Sequence, residues 1–311
     1  MSPFEGFENK DFDAFSENKW VSNAFNLERL EVKLKLSSLG KAIDERLGEK
    51  LSGLEMDMSE ERPSIFNQHK VSHLTLFFYR DLNARKQVGS LLDKSRTIAD
   101  NVMDAAPYHR HISLCVRVRN GGVESGIFIH KNSWLDWKNV QQRCKSYGES
   151  DRLTGILSDL APSVKYSTGA GLMGQSQPIS GVDAESLLAG LDRSDPYTVV
   201  GEVFNRDDPI VHQSGFGQRI TELLDSLLPL FRFIAWSRDN DFHGLKDAIK
   251  EQQHKAQRKF SSIEVGDKVR IVNGIASGRL GIVDSIEKKG VVKVRMGLLV
   301  MNLKIEDLAQ P

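Results

Sequence analysis

The chain has 311 residues, 40% of them hydrophobic, which is enough for one large or two unequal domains with separate cores. Lys and Arg number 42, as do Asp and Glu, so the whole molecule offers a polyanion no general attraction; no run approaches the ~20 apolar residues of a membrane helix. The two cysteines, Cys115 and Cys144, have no paired spacing, which excludes a disulfide framework or cysteine zinc knuckle and predicts a reduced, cytoplasmic compartment.

The opening, MSPFEGFENKDFDAF, is acidic and lacks the basic region and apolar stretch of a secretory signal. Its aromatics, Phe4, Phe7, Phe12 and Phe15, followed by Trp20 and Phe25, predict an arm pinned onto a core. From Leu27 the residues Leu30, Leu34, Leu36, Leu39, Ile43, Leu47 and Leu51 recur mostly every three or four positions, a helix period with Asn26 as its cap. Within it EVKLKL alternates as a strand would. VSHLTLFFYR (71–80) is strand-like, and Val88, Leu91, Leu92, Ile98, Ala99 and Val102 form a helix stripe. RHISLCVRVRNGGVESGIFIHK (110–131) predicts a hairpin turning at Asn120-Gly121-Gly122.

A further helix begins at Ser133, with Asp136 completing a capping-box variant and Trp137, Val140, Cys144 and Tyr147 on one face. Strands are expected near 163–168 and 196–204. QRITELLDSLLPLFRFIAW (218–236) stacks Ile220, Leu223, Leu224, Leu227, Leu228, Phe231 and Ile234, with a kink at Pro229. Asp239 or Asn240 then caps a last helix, whose apolar stripe (Phe242, Leu245, Ile249) fades into a basic linker. Antiparallel hairpins among helices predict an α+β fold rather than a doubly wound parallel sheet.

Candidate chemistry is sparse. GAGLMG (169–174) has the spacing G-x-G-x-x-G, but QSQPISG follows it where a phosphate site needs a helix, so it reads as a surface loop bordering a pocket. His109 and His111 lie two apart where the first predicted strand begins, and His130 ends the paired strand; convergence would make a three-imidazole metal site with an open position, and otherwise they are ordinary sheet histidines. Arg238, Asp239, Asp241 and His243 read as cap residues between helices before they read as acid–base groups. No nucleophile elbow, phosphate loop or Cys-x-x-Cys is present, so the residues imply a non-enzymatic protein without a cofactor; a metal-dependent enzyme with a pocket at the histidines is the alternative.

The last 66 residues carry 13 Lys and Arg against 8 Asp and Glu, a surplus of five that directs this end toward polyanions. Val269 and Ile271, then Val292, Val294 and Met296, then Leu299, Met301, Leu303 and Ile305, alternate with mostly polar neighbours, so several half-buried strands must curl into a small barrel. Gly274 and Gly278 suit a tight loop, and Gly281 a bend or close approach. VGDKVRIVNGIASGRLGIVDSI (265–286), with the Asp307-Leu308 step that closes the following strands, resembles the KOW motif of SH3-like barrels found in NusG-type transcription factors and several ribosomal proteins.

The resemblance implies docking on an RNA or DNA backbone, or on ribosome or RNA polymerase components, through Lys268, Arg270, Asn273, Ser277, Arg279, Lys293 and Arg295, with Lys288 and Lys289 on a further turn. Arg258 and Lys259 in the linker extend the same track, while a protein-binding adaptor uses the same surface differently. From Ser261 to Pro311 there is no Phe, Tyr or Trp, so bases cannot be stacked and any nucleic acid would be held by its backbone. The expected organisation is a large α+β domain (1–246), a basic helical linker (247–260) and a small SH3-like barrel (261–311). Gly6-Phe7, Asp11-Phe12 and Phe15 also resemble the opening of uncharacterised bacterial α+β proteins, a likeness that brings no activity with it.

Overall fold

A computed structural model describes residues 3–64, 67–86, 88, 107–169, 171–191, 197–242, 244, 263–272, 276, 278–287, 291–297 and 299–309. The fold combines helices with antiparallel sheets and divides into two compact units, Met1–His243 and Gly244–Pro311. The expected linker at 247–260 lies outside the described residues, as does the 88–102 stripe apart from buried Val88. Among the described residues no helix is long and apolar enough to cross a membrane.

The first unit is built on seven strands: β1 (Leu54–Met58), β2 (His73–Arg80), β3 (Ser113–Arg119), β4 (Gly122–His130), β5 (Lys165–Gly169), β6 (Gln177–Pro178) and β7 (Tyr197–Asn205). They pair antiparallel in the order β1-β2-β3-β4-β7-β5-β6. The hairpin turns tightly, with Arg119 opposite Gly122, so every later partner is fixed by counting back. Period-two alternation sends Leu74, Leu76 and Phe78, Leu114, Val116 and Val118, and Val123, Ile127 and Ile129 to one face, where all are buried.

Besides a helical stretch at 82–86, the described residues place these α-helices beside the sheet: α1 (Asn9–Asp13), α2 (Asn26–Leu47), α3 (Trp134–Arg143), α4 (Glu149–Ser158), α5 (Ala184–Leu191) and α6 (Phe216–Ile234). Helices α2 and α6 pack on the apolar face and on each other. All seven predicted apolar residues of α6 are buried, and Pro229 lies inside the helix. Each side chain so buried contributes roughly 1.5–3 kcal/mol. Phe7, Phe12 and Phe15 of the arm are buried too, with Phe7 edge-on to Phe216 at 6.2 Å.

Two local expectations, at α2 and α3, are corrected. Helix α2 runs through EVKLKL but buries Val32, Leu36, Leu39, Ile43 and Leu47, leaving Leu27, Leu30 and Leu34 exposed. Its N-terminal turn is held by buried Arg29, which donates to the carbonyls of Lys19 and Ser22 and to Asn26 Oδ1, so Asn26 serves Arg29 and not the backbone. At α3 the Ser133 hydroxyl donates to His109 O (3.0 Å) instead of capping, Asp136 is buried against Arg80, and Tyr147 is fully exposed. The last helix, expected after an Asp239 or Asn240 cap, lies outside the described residues; Asn240 Nδ2 donates to the last carbonyls of α6, those of Arg232, Phe233 and Ala235.

The second unit holds β8 (Lys268–Ile271), β9 (Leu280–Ile286), β10 (Val291–Met296), β11 (Leu299–Lys304) and β12 (Leu308–Ala309), ordered β11-β10-β9-β8-β12 and antiparallel throughout. Val269, Ile271, Ala276, Val283, Val292, Val294 and Leu308 make its core. Gly281 sits where any side chain would collide, a Cβ there falling 2.3 Å from Val294 Cγ1, and Gly278 turns at φ +85°. Leu299, expected to face inward, is exposed, while Met301, Leu303 and Ile305 pack against the core.

Candidate functional site

The cations predicted to meet a polyanion are divided by the sheet of the second unit. Lys268 and Arg270 alternate with buried Val269 and Ile271, and both are exposed. Lys268 stands opposite Ile282, which in turn stands opposite Arg295; Arg270 stands opposite Leu280. Lys293 is paired with Glu287 at 2.7 Å and Arg295 with Asp284 at 3.2 Å, exposed pairs that an anion would have to displace. The Glu287 carboxylate holds the Lys293 ammonium above its ordinary pKa. Lys268, Arg270 and Arg279 have no carboxylate partner among the described residues.

Arg279 does not share their face. Its carbonyl accepts from Ile271 N at 2.9 Å, which puts it in register with an inward-pointing residue at the end of the β8–β9 turn. Asn273, Ser277, Lys288, Lys289, Arg258 and Lys259 lie outside the described residues. Between the cations the sequence reading missed an apolar component: Leu280, Ile282 and Val300 are exposed at 54%, 38% and 50%. Their alternation with inward Gly281, Val283 and Met301 is the signal that would have found them.

The first unit carries a different constellation on the second face of its sheet. Register sets Arg117 opposite both Thr75 and Glu124, and all three are buried. The Arg117 guanidinium lies 4.4 Å from the Phe128 ring centroid and 5.0 Å from that of Tyr197, with Nη1 3.4 Å from Glu124 Oε2. Arg119 donates to the other carboxylate oxygen at 3.1 Å.

The G-x-G-x-x-G segment closes over this pair. Met173 N donates to Glu124 Oε1 at 2.7 Å, and a Cβ on Gly171 (φ +133°) would reach within 2.9 Å of both carboxylate oxygens. The backbone donor that a phosphate would need is therefore given to the protein's own anion. Beside this face a cleft of about 660 Å³ is lined by Asp57, His73, Phe77, Tyr108, His109 and Tyr197. Tyr108 stacks on Phe77 at 4.0 Å and His109 on His130 at 4.3 Å, while the Tyr197 hydroxyl and His109 Nε2 share a hydrogen bond of 2.9 Å. Burial, with Arg117 and Arg119 nearby, holds His73 well below the usual imidazole range.

The three predicted histidines do not form one site. His109 and His130 meet, but His111 accepts from Arg80 Nη1 through Nδ1 (3.0 Å) in a separate buried cluster. Arg80 there forms a two-pronged pair with Asp136, whose carboxylate also accepts from Ile112 N and Trp236 N. Among the described residues no group of three His, Cys, Asp or Glu could hold a metal ion. Arg238 and Asp239 are exposed, and His243 lies outside the described residues. Cys115 is buried, and burial pushes its thiol up to about 12. No protein-family model matches the chain, and no curated protein matches it.

Proposed function

We propose that the protein is a non-enzymatic, cytoplasmic, nucleic-acid-associated protein whose second unit, a KOW-type SH3-like barrel, docks on an RNA or DNA backbone. The observation that carries this reading is the pair Lys268 and Arg270, alternate residues of β8 that are exposed and lack any carboxylate partner among the described residues. Phosphate contacts position a protein on a strand without reading sequence, which suits a stretch, Ser261 to Pro311, without Phe, Tyr or Trp. The surplus of basic residues after Lys246 supports the same polarity.

Arg279 at the turn adds a third free cation. Three contacts give a log–log salt slope of roughly −2 to −3, a modest affinity. Binding of a fluorescent single-stranded RNA and of duplex DNA, measured across salt, tests this. The expected result is that slope, with Lys268→Glu/Arg270→Glu abolishing binding and Ile282→Asp leaving it intact. No binding at low salt, or binding indifferent to the double charge reversal, overturns the reading. Capture of a nuclease-resistant partner that Ile282→Asp releases would assign the face to protein instead.

A further inference from the structure

Between the C-terminal half of α6 and the start of β1 lies a second cavity in the first unit, of about 360 Å³. That volume is at the small end of the roughly 300–1,000 Å³ of ligand sites, so it suits a small molecule and not a polymer. Its inner wall is apolar: Ile112, Leu228, Phe231 and Trp236 are each at most 5% exposed. Lys50, Arg232 and Arg238 are exposed at its edge, and no Asp or Glu lines it. An apolar floor beneath a rim of three cations, of which only Lys50 has a carboxylate partner among the described residues, defines the ligand by its two halves.

We infer that this cavity binds a small apolar carboxylate, with the hydrocarbon against Leu228 and Phe231 and the anion held at the rim by Lys50 and Arg238. Arg238 has no hydrogen-bond or ion-pair partner among the described residues, so its planar donors are free for a carboxylate. Lys50 pairs with Asp225 at 2.8 Å, but that pair is exposed and readily exchanged for a ligand anion. Arg232 donates through Nη2 to Lys50 O at 2.9 Å and so holds the Lys50 backbone in place. Arg80, also in the wall, adds positive charge but no contact, because its Nη atoms serve Asp136, His111 and the Trp236 carbonyl. The Trp236 indole Nε1 is buried without an acceptor among the described residues.

Calorimetric titration of the full chain with octanoate, octan-1-ol and inorganic phosphate tests the inference. Saturable octanoate binding is expected, with octan-1-ol and phosphate both markedly weaker. The double variant Lys50→Ala/Arg238→Ala alters only exposed side chains and should weaken octanoate by about tenfold or more. Lys268→Glu, in the other unit, should leave it unchanged. Absence of saturable binding at millimolar octanoate, equal affinity for octan-1-ol, or unchanged affinity in the double variant overturns the assignment.

Discussion

His111 is only 2% exposed, and its environment leaves it no room for a proton. Its Nδ1 accepts from Arg80, its ring stacks 6.0 Å from Tyr79, and Arg85 and Arg110 add further positive charge. Burial first, and these guanidinium groups second, hold its pKa well below the usual imidazole value of 6.5. The sign follows from linkage. Below the unfolded pKa the unfolded chain takes up a proton that the folded chain refuses, so the contribution is complete above that value and is lost as the pH falls. Stability should therefore decline by up to about 1.4 kcal/mol per pH unit through this residue as the pH falls below the unfolded value. Urea unfolding followed by tryptophan fluorescence from pH 7.5 to 5 measures it. His111→Gln keeps an acceptor for Arg80 and should flatten the profile; an unchanged slope in that variant would show that other groups carry the acid sensitivity.

At the scale of elements, the last turn of α6 shows how one residue closes a helix from outside it. Three carbonyls there are taken by Asn240 Nδ2, and Asn240 Oδ1 accepts from Arg143 Nη1 at 2.9 Å, so one amide ties α6 to α3. Asn240→Ala takes the amide donor from Arg232 O and Ala235 O, while Phe233 O keeps Arg143 Nη1 at 3.1 Å, and should cost about 1–3 kcal/mol, read as a lower urea midpoint at unchanged slope. Asn240→Asp sets a carboxylate against carbonyls and should cost more; equal midpoints for all three proteins would remove the proposed tie. This role was illegible in the sequence because an Asn between two helices suits either one. Helix α6 and the β3–β4 hairpin were legible because each carries one unbroken period. Helix α2 carries two apolar stripes, and only packing against Leu76 and Met56, which Gly40 admits, selects between them. The Arg117–Glu124 pair was latent: the tight turn fixes their register, but nothing local announces that Gly171 and Met173 come to cover it.

At the scale of the molecule the described residues of the two units rest on separate cores, one of more than forty buried residues and one of seven. Small cores are marginal, so the second unit should be the less stable of the two. The chemistry of the chain makes this measurable, because all four tryptophans (Trp20, Trp134, Trp137, Trp236) belong to the first unit and the second has no aromatic from Ser261 onward. Val294→Asp buries an unpaired carboxylate beside Val283 and Gly281, a cost a core of that size cannot absorb. Hydrogen exchange should then lose protection across β8, β9 and β10 while the tryptophan-detected urea midpoint stays where it was. The same variant should lose RNA binding and keep octanoate, since one site needs the small sheet and the other does not. A fall in the tryptophan midpoint, or the loss of both ligands together, would mean that the first unit depends on the second for its fold.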